Sequence, residues 1–119
     1  MSNEAPPEAT AHDARTEVLQ GTLDLMILQT LATLGPQHGY AIAARLEQVS
    51  GGALQLNMGT LYPGLTRLEA RGWVKATWAQ TPASRRARFY SLTARGRKQL
   101  DTERAQWHRM ADIMARVLE

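Results

Sequence analysis

The stretch NMGTLYPGLTRLEARGWVKATWAQTPASRRARFYSL, residues 57–92, holds the pattern on which the fold turns. Asn57 is placed to cap a helix whose inward stripe, Leu61, Leu65 and Leu68, recurs at helical spacing to about residue 71. Pro63 is expected in the first turn, where its missing N–H does little harm, and Gly72 supplies the stop. Residues 73–79 and 87–92 are rich in β-formers, and the turn-prone QTPASRR between them closes a two-stranded hairpin with Arg85 and Arg86 at its tip.

Two shorter helical patterns precede this unit. Leu23, Ile27, Leu31 and Leu34 form one stripe and Leu25, Leu28 and Ala32 a second, offset one. A helix apolar on two faces needs cover on both, and in so short a chain the second cover can come from another subunit. Gly35-Pro36 ends that helix. A second helix is expected over about residues 40–49, with Tyr40, Ile42, Ala43 and Leu46 as its apolar members and Ser50-Gly51-Gly52 as its end. Leu54 and Leu56 then alternate with Gln55 and Asn57 as a short extended stretch.

After the hairpin, Thr93 can cap a last helix from Ala94 to about residue 118, a length of about 37 Å at 1.5 Å per residue. Leu100, Trp107 and Met114 fall seven apart, with Met110 and Val117 at the complementary positions and Ala111 and Leu118 beside them. That is a heptad seam, interrupted at Glu103 and Arg104. The expected architecture is mainly α with a two-stranded β-hairpin, the order of a winged helix-turn-helix plus a C-terminal dimerisation helix. Residues 1–17 read as a mobile acidic arm, residues 18–93 as the winged helix-turn-helix and residues 94–119 as the dimerisation helix.

The 119 residues have 44% apolar and 21% charged side chains, which suits a single globular domain and excludes collagenous or wholly disordered classes. The net charge of +3 conceals an uneven division. Residues 59–100 hold nine basic side chains (Arg67, Arg71, Lys75, Arg85, Arg86, Arg88, Arg95, Arg97 and Lys98) against Glu69 alone, while residues 1–20 carry −3 and the remaining two segments −1 each. Such a block is either a solvated basic face or the footprint of a polyanion. It begins on the third helix and runs through the hairpin, the two elements by which a winged helix grips DNA.

With Leu61, Leu65 and Leu68 turned inward, Thr60, Tyr62, Pro63, Gly64 and Arg67 are left for the outer side of the third helix. Thr60 and Gly64 permit close approach to base edges, Tyr62 can donate to a phosphate, and Arg67 suits a phosphate or guanine. Packing of Tyr62 on the second helix, and pairing of Arg67 with Glu47 or Glu69, are the structural alternatives. Arg85 and Arg86 have little apolar surface to cover and are expected at phosphates, whereas Arg95, Arg97 and Lys98 fit the exposed side of the last helix or an extension of the footprint.

Catalysis finds no support. His12, His38 and His108 lie in a tail, a turn and a terminal helix, no nucleophile has an evident base, and no cofactor or metal motif is present. The absence of Cys removes disulfides and thiolate metal sites and fits a reducing compartment. No apolar run exceeds five residues, so neither a membrane span nor a signal-peptide core is expected, and the cytoplasm, at the nucleoid, is the expected location.

The strings GTLDLMILQTL, HGYAIAARLE, GTLYPGLTRLEARGWV and RRARFYSLTARGRKQL, in this order and spacing, resemble the PadR family of bacterial transcriptional regulators over roughly 100 residues. The resemblance implies a homodimeric, mostly repressing protein on an inverted-repeat operator in double-stranded DNA, with the C-terminal helix of each subunit packed on the N-terminal helix of its partner. By motif position it places Tyr40, Thr60, Leu61, Tyr62 and Arg67 at or near DNA and assigns Arg85, Arg86 and Arg88 to the wing. The single terminal helix, ending at Glu119, is similar to the smaller subgroup. The dimer interface is then expected to use Leu23, Ile27, Leu100, Trp107, Met110, Ala111, Met114, Val117 and Leu118.

Some members respond to phenolic acids or flat aromatic drugs. By that resemblance Trp107, with Met110 and Met114 as adaptable walls, marks a pocket for a planar aromatic effector; the alternative is a plain interface tryptophan. The competing reading of the whole chain is a winged-helix protein-protein interaction module without DNA specificity, for which the basic block would serve an acidic partner equally well.

Overall fold

Apolar spacing and punctuating glycines divide the chain as described by a computed structural model for residues 22–119; the arm expected over residues 1–17 lies outside the described residues. Helix α1 covers residues 22–34, with Leu23, Ile27, Leu28 and Leu31 at most 2% exposed. Gly35 ends it at φ +79°, its N–H returning to the Leu31 carbonyl at 2.9 Å. A left-handed residue at this position is the usual helix stop, and glycine adopts it without a Cβ penalty.

The two residues after Pro36 form a strand, β1 (Gln37–His38), which pairs antiparallel with β3: Gln37 faces Tyr90 and His38 faces Phe89. This corrects the two-stranded expectation. The sheet has three strands in the order β1-β3-β2, with β2 at Val74–Gln80 and β3 at Arg86–Leu92. The hairpin alone leaves one edge of β3 with unpaired backbone groups, and the Gly35-Pro36 turn brings residues 37–38 back across it. Two residues are too few to carry an alternation that could be read beforehand.

His38 also caps α2 (Gly39–Val49), its Nδ1 accepting the Ala41 N–H at 3.2 Å. Residues 54–57 pair with no strand. Helix α3 (Met58–Ala70) begins where Asn57 Oδ1 accepts the Thr60 N–H at 2.9 Å, as expected from the sequence. Pro63 is the sixth residue of α3 and lies beyond the first turn; its missing N–H deprives the exposed Gly59 carbonyl of an intrahelical partner, and water can supply one.

Helix α4 (Ala94–Val117) starts from a node of hydrogen bonds. The Thr93 hydroxyl accepts the Gly96 N–H at 3.0 Å and donates to the Gly72 carbonyl at 2.6 Å, and the Thr93 N–H donates to the Trp73 carbonyl at 3.1 Å. One cap thus ties the end of α3, the base of the hairpin and the start of α4. The core joins α1, α2 and α3 with Val74, Tyr90 and Leu100. Beyond Leu100 no residue of α4 is fully buried, which gives the described chain an elongated outline of 56 × 32 × 29 Å.

Candidate nucleic-acid interface

The outward strip of α3 follows from its inward one. Leu61, Gly64, Leu65 and Leu68 occupy the i, i+3, i+4, i+7 positions and are buried. Gly59, Thr60, Tyr62, Pro63, Thr66 and Ala70 are exposed. Thr60, Tyr62 and Pro63 therefore stand where the sequence placed them. Leu61 and Gly64 do not: Leu61 is fully buried, and a Cβ on Gly64 would touch Ile27 and Leu23 at 3.5 Å. Gly64 belongs to the face of α3 packed on α1. Thr66, one turn on from Tyr62 and Pro63, belongs to the outer strip and was missed, although helical spacing identifies it.

Arg67 is turned toward α1, where its Nη2 donates to Asp24 Oδ1 at 2.6 Å with the two side chains 26% and 11% exposed. Neither Glu47 nor Glu69 is its partner, and the guanidinium is not free on the outer face. Glu69 instead accepts from Arg88 Nη2 at 2.9 Å, which binds the wing strand β3 to α3. The Arg88 guanidinium also lies 5.9 Å from the Tyr90 ring. Burial pushes the Tyr90 phenol up from its ordinary pKa, with Arg88 opposing that shift and Glu69 and Tyr62 adding to it, so the ring stays neutral at physiological pH.

The wing closes through Thr81, whose N–H donates to the Arg85 carbonyl at 2.7 Å and whose hydroxyl accepts the Arg85 N–H at 3.2 Å. Ser84 takes φ +63° in this turn. Arg85 and Arg86 are both exposed at the tip, as expected. Between the wing and the N-terminal parts of α2 and α3 runs an open cleft of about 720 Å³. Tyr40, Tyr62 and Trp78 line it with Arg85, Arg86 and Arg88, and the Tyr62 ring rests on Gly39. Tyr62 thus packs on α2, the structural alternative, while remaining 41% exposed. Trp78, 58% exposed, was not anticipated.

At the other end of the hairpin Arg71 lies 5.2 Å from the Trp73 ring, and Arg95 and Lys98 line a hollow against the same residue. Six of the nine basic residues thus gather in two places, Arg85, Arg86 and Arg88 along the cleft and Arg71, Arg95 and Lys98 at the hairpin base.

The terminal helix presents a different surface. Leu23, Ile27 and Leu100, expected at a dimer interface, are 0–4% exposed within a single chain and belong to its own core. Their heptad or stripe positions are satisfied internally. Trp107, Met110, Met114, Val117 and Leu118, together with Ile113, which the seam did not include, are 45–75% exposed. Trp107 borders a groove of about 360 Å³ between α1, α2 and α4, whose walls include Leu25, Met26, Leu46, Arg104 and His108. Met110 and Met114 are not among its walls. Among the described residues no helix is long and apolar enough to cross a membrane, and no group of three His, Asp or Glu side chains could hold a metal ion.

Residues 27–102 match the model of the transcriptional regulator PadR-like family. The chain is 42% identical over 95 residues to an uncharacterized 37.1 kDa protein of a Streptomyces fradiae transposon, covering 80% of this chain and 25% of that relative. The chain thus spans about a quarter of this curated relative. Among solved structures it is similar to a PadR family transcriptional regulator from Eggerthella lenta, with a TM-score of 0.74, 28% identity and coverage of 94% and 95% of the two chains. A transcriptional regulator from Clostridium thermocellum shares the fold at a TM-score of 0.77 and 23% identity, over 87% of this chain and 99% of that one.

Proposed function

Because the chain belongs to the PadR-like family of transcriptional regulators, we propose that it binds an inverted-repeat operator as a homodimer and represses the promoter beneath it. Members of this family are regulatory DNA-binding proteins, not enzymes. The observation that carries the reading is the cleft of Tyr40, Tyr62, Trp78, Arg85 and Arg86, which brings Tyr62 of the outer strip of α3 and the basic wing tip to one concave face. An acidic protein partner would need only the charge, whereas a helix beside a basic hairpin matches the shape of a duplex groove and its flanking phosphates.

In this reading Thr60, Tyr62, Pro63 and Thr66 enter the major groove. Arg85 and Arg86 engage phosphates beside it, with Arg88 as the brace that fixes the wing to α3 through Glu69. The apolar face of α4, exposed at Trp107, Met110, Met114, Val117 and Leu118 and half-buried at Ala111, pairs with a second copy. Two recognition helices then sit about 34 Å apart, one turn of DNA. The groove beside Trp107 would take a planar aromatic effector, and the nearby Arg45, Arg104 and His108 favour an anionic one.

Neutralising the wing tests this. Each phosphate contact contributes a slope of about −0.9 to log K against log salt. Arg85→Gln/Arg86→Gln is therefore expected to weaken binding to the protein's own upstream region at least about ten-fold at low salt and to flatten the salt slope by about 2. An unchanged affinity and slope in fluorescence anisotropy would remove the wing from the interface.

A further inference from the structure

The three wing arginines are not equivalent. Arg88 is held by Glu69 at 2.9 Å and lies over Tyr90, while the Arg85 side chain is exposed at the turn. Arg86 is different again: its guanidinium carbon stands 5.1 Å from the centroid of the Trp78 ring. The sheet register explains the meeting. Trp78 is opposite Arg88 and Gln80 opposite Arg86, so Trp78 and Arg86 are diagonal neighbours on one face of the hairpin.

That face begins in the core. Val74 is 2% exposed, Ala76 packs against the core cluster, and Trp78 is the next residue of the same alternation. There the core has ended, leaving the indole 58% exposed over the cleft shared with Tyr40 and Tyr62. A large ring left more than half exposed, with an arginine against it, buries little apolar surface for folding. It gives the arginine a surface to lie on.

We infer that Trp78 is a positioning residue for DNA binding: its ring holds the Arg86 guanidinium toward the cleft before the duplex arrives. The inference rests on the proposed DNA-binding function and deepens it. Arginine carries substantial rotamer entropy, part of which is lost in advance when the planar group lies on an aromatic face. A cation–π contact also strengthens when water is displaced from it, which is what a docking duplex does. The unit thus grows stronger in the bound state, and an isolated arginine at the tip does not.

A double-mutant cycle on the upstream duplex, read by fluorescence anisotropy at several salt concentrations, tests the inference. Trp78→Ala is expected to weaken binding about ten-fold, a size set by one desolvated cation–π contact. Trp78→Phe should recover much of that loss because it keeps a π face. Arg86→Ala should weaken binding similarly, and Trp78→Ala/Arg86→Ala should lose clearly less than the product of the two single effects. Amide spectra of each variant report whether the β2–β3 register survives, separating loss of positioning from loss of the wing. Salt-sensitive binding by the wild type with no effect of Trp78→Ala, or with fully multiplicative losses, would overturn the role of Trp78 while leaving the DNA-binding reading intact. No salt-sensitive binding by the wild type would overturn both.

Discussion

Gly96→Ala should destabilise the protein by about 3 kcal/mol, seen as a fall in Tm of about 15 °C. Helix propensity alone argues the other way, since alanine gains about 1 kcal/mol over glycine inside a helix. Packing decides the sign. A Cβ on Gly96 would land on the carbonyl oxygen of Trp73, with the Leu92 side chain 3.0 Å away. That carbonyl is backbone and already accepts the Thr93 N–H, so it cannot rotate aside. Relief requires α4 to lift from the hairpin base, which strains the Thr93 bonds to Gly72 and Gly96. Ala105→Gly, on the exposed part of the same helix, should cost only about 1 kcal/mol. A Gly96→Ala variant as stable as the wild type would show that α4 does not approach Trp73 as closely as described.

The second large effect is expected at Arg67. Removing the guanidinium in Arg67→Ala leaves the Asp24 carboxylate, whose residue is 8% exposed, without its ion-pair partner. Breaking such a pair from one side costs about 3 kcal/mol, far more than the fraction of a kcal/mol typical of surface pairs. The cost comes from the stranded charge more than from the lost attraction. Asp24→Asn/Arg67→Ala should therefore be more stable than Arg67→Ala alone, because the amide replaces an uncompensated carboxylate. Chemical denaturation of the wild type, Arg67→Ala and Asp24→Asn/Arg67→Ala measures this, and a double variant no more stable than Arg67→Ala would contradict it.

These sites also show where the sequence was legible. Periodicity and caps located α2, α3, the hairpin and α4, because each depends on residues within a turn or two of each other. Asn57 and Thr93 cap as their type and position imply. Gly64 was misassigned because a glycine does not register in an apolar stripe, though it completes the spacing of Leu61, Leu65 and Leu68. Leu61 entered the DNA-facing set through motif position against its own inward periodicity, and the fold follows the periodicity. Arg67 chooses a partner 43 residues away, a pairing that local spacing cannot reveal.

The same distinction separates core from interface. Leu23, Ile27 and Leu100 look like seam residues in one dimension, but the three-dimensional core absorbs them. Only beyond Leu100 does α4 keep an apolar face that the described residues leave exposed, and Ile113 widens it. In the cleft, the basic character of the wing was readable from charge. The juxtaposition of Trp78 with Arg86 and the two tyrosines needed the register of β2 on β3 and the packing of Tyr62 on Gly39.

The central claim is that the outer strip of α3 and the wing tip form one DNA-binding face. Titrating isotope-labelled protein with its upstream duplex and following backbone amide shifts tests it most directly. The account predicts the largest perturbations at Tyr40, residues 60–66 and residues 78–88, with α4 beyond Leu100 unaffected by the first equivalents of DNA. Perturbations confined to α4, or none in α3 and the wing under conditions where the duplex is bound, would contradict it.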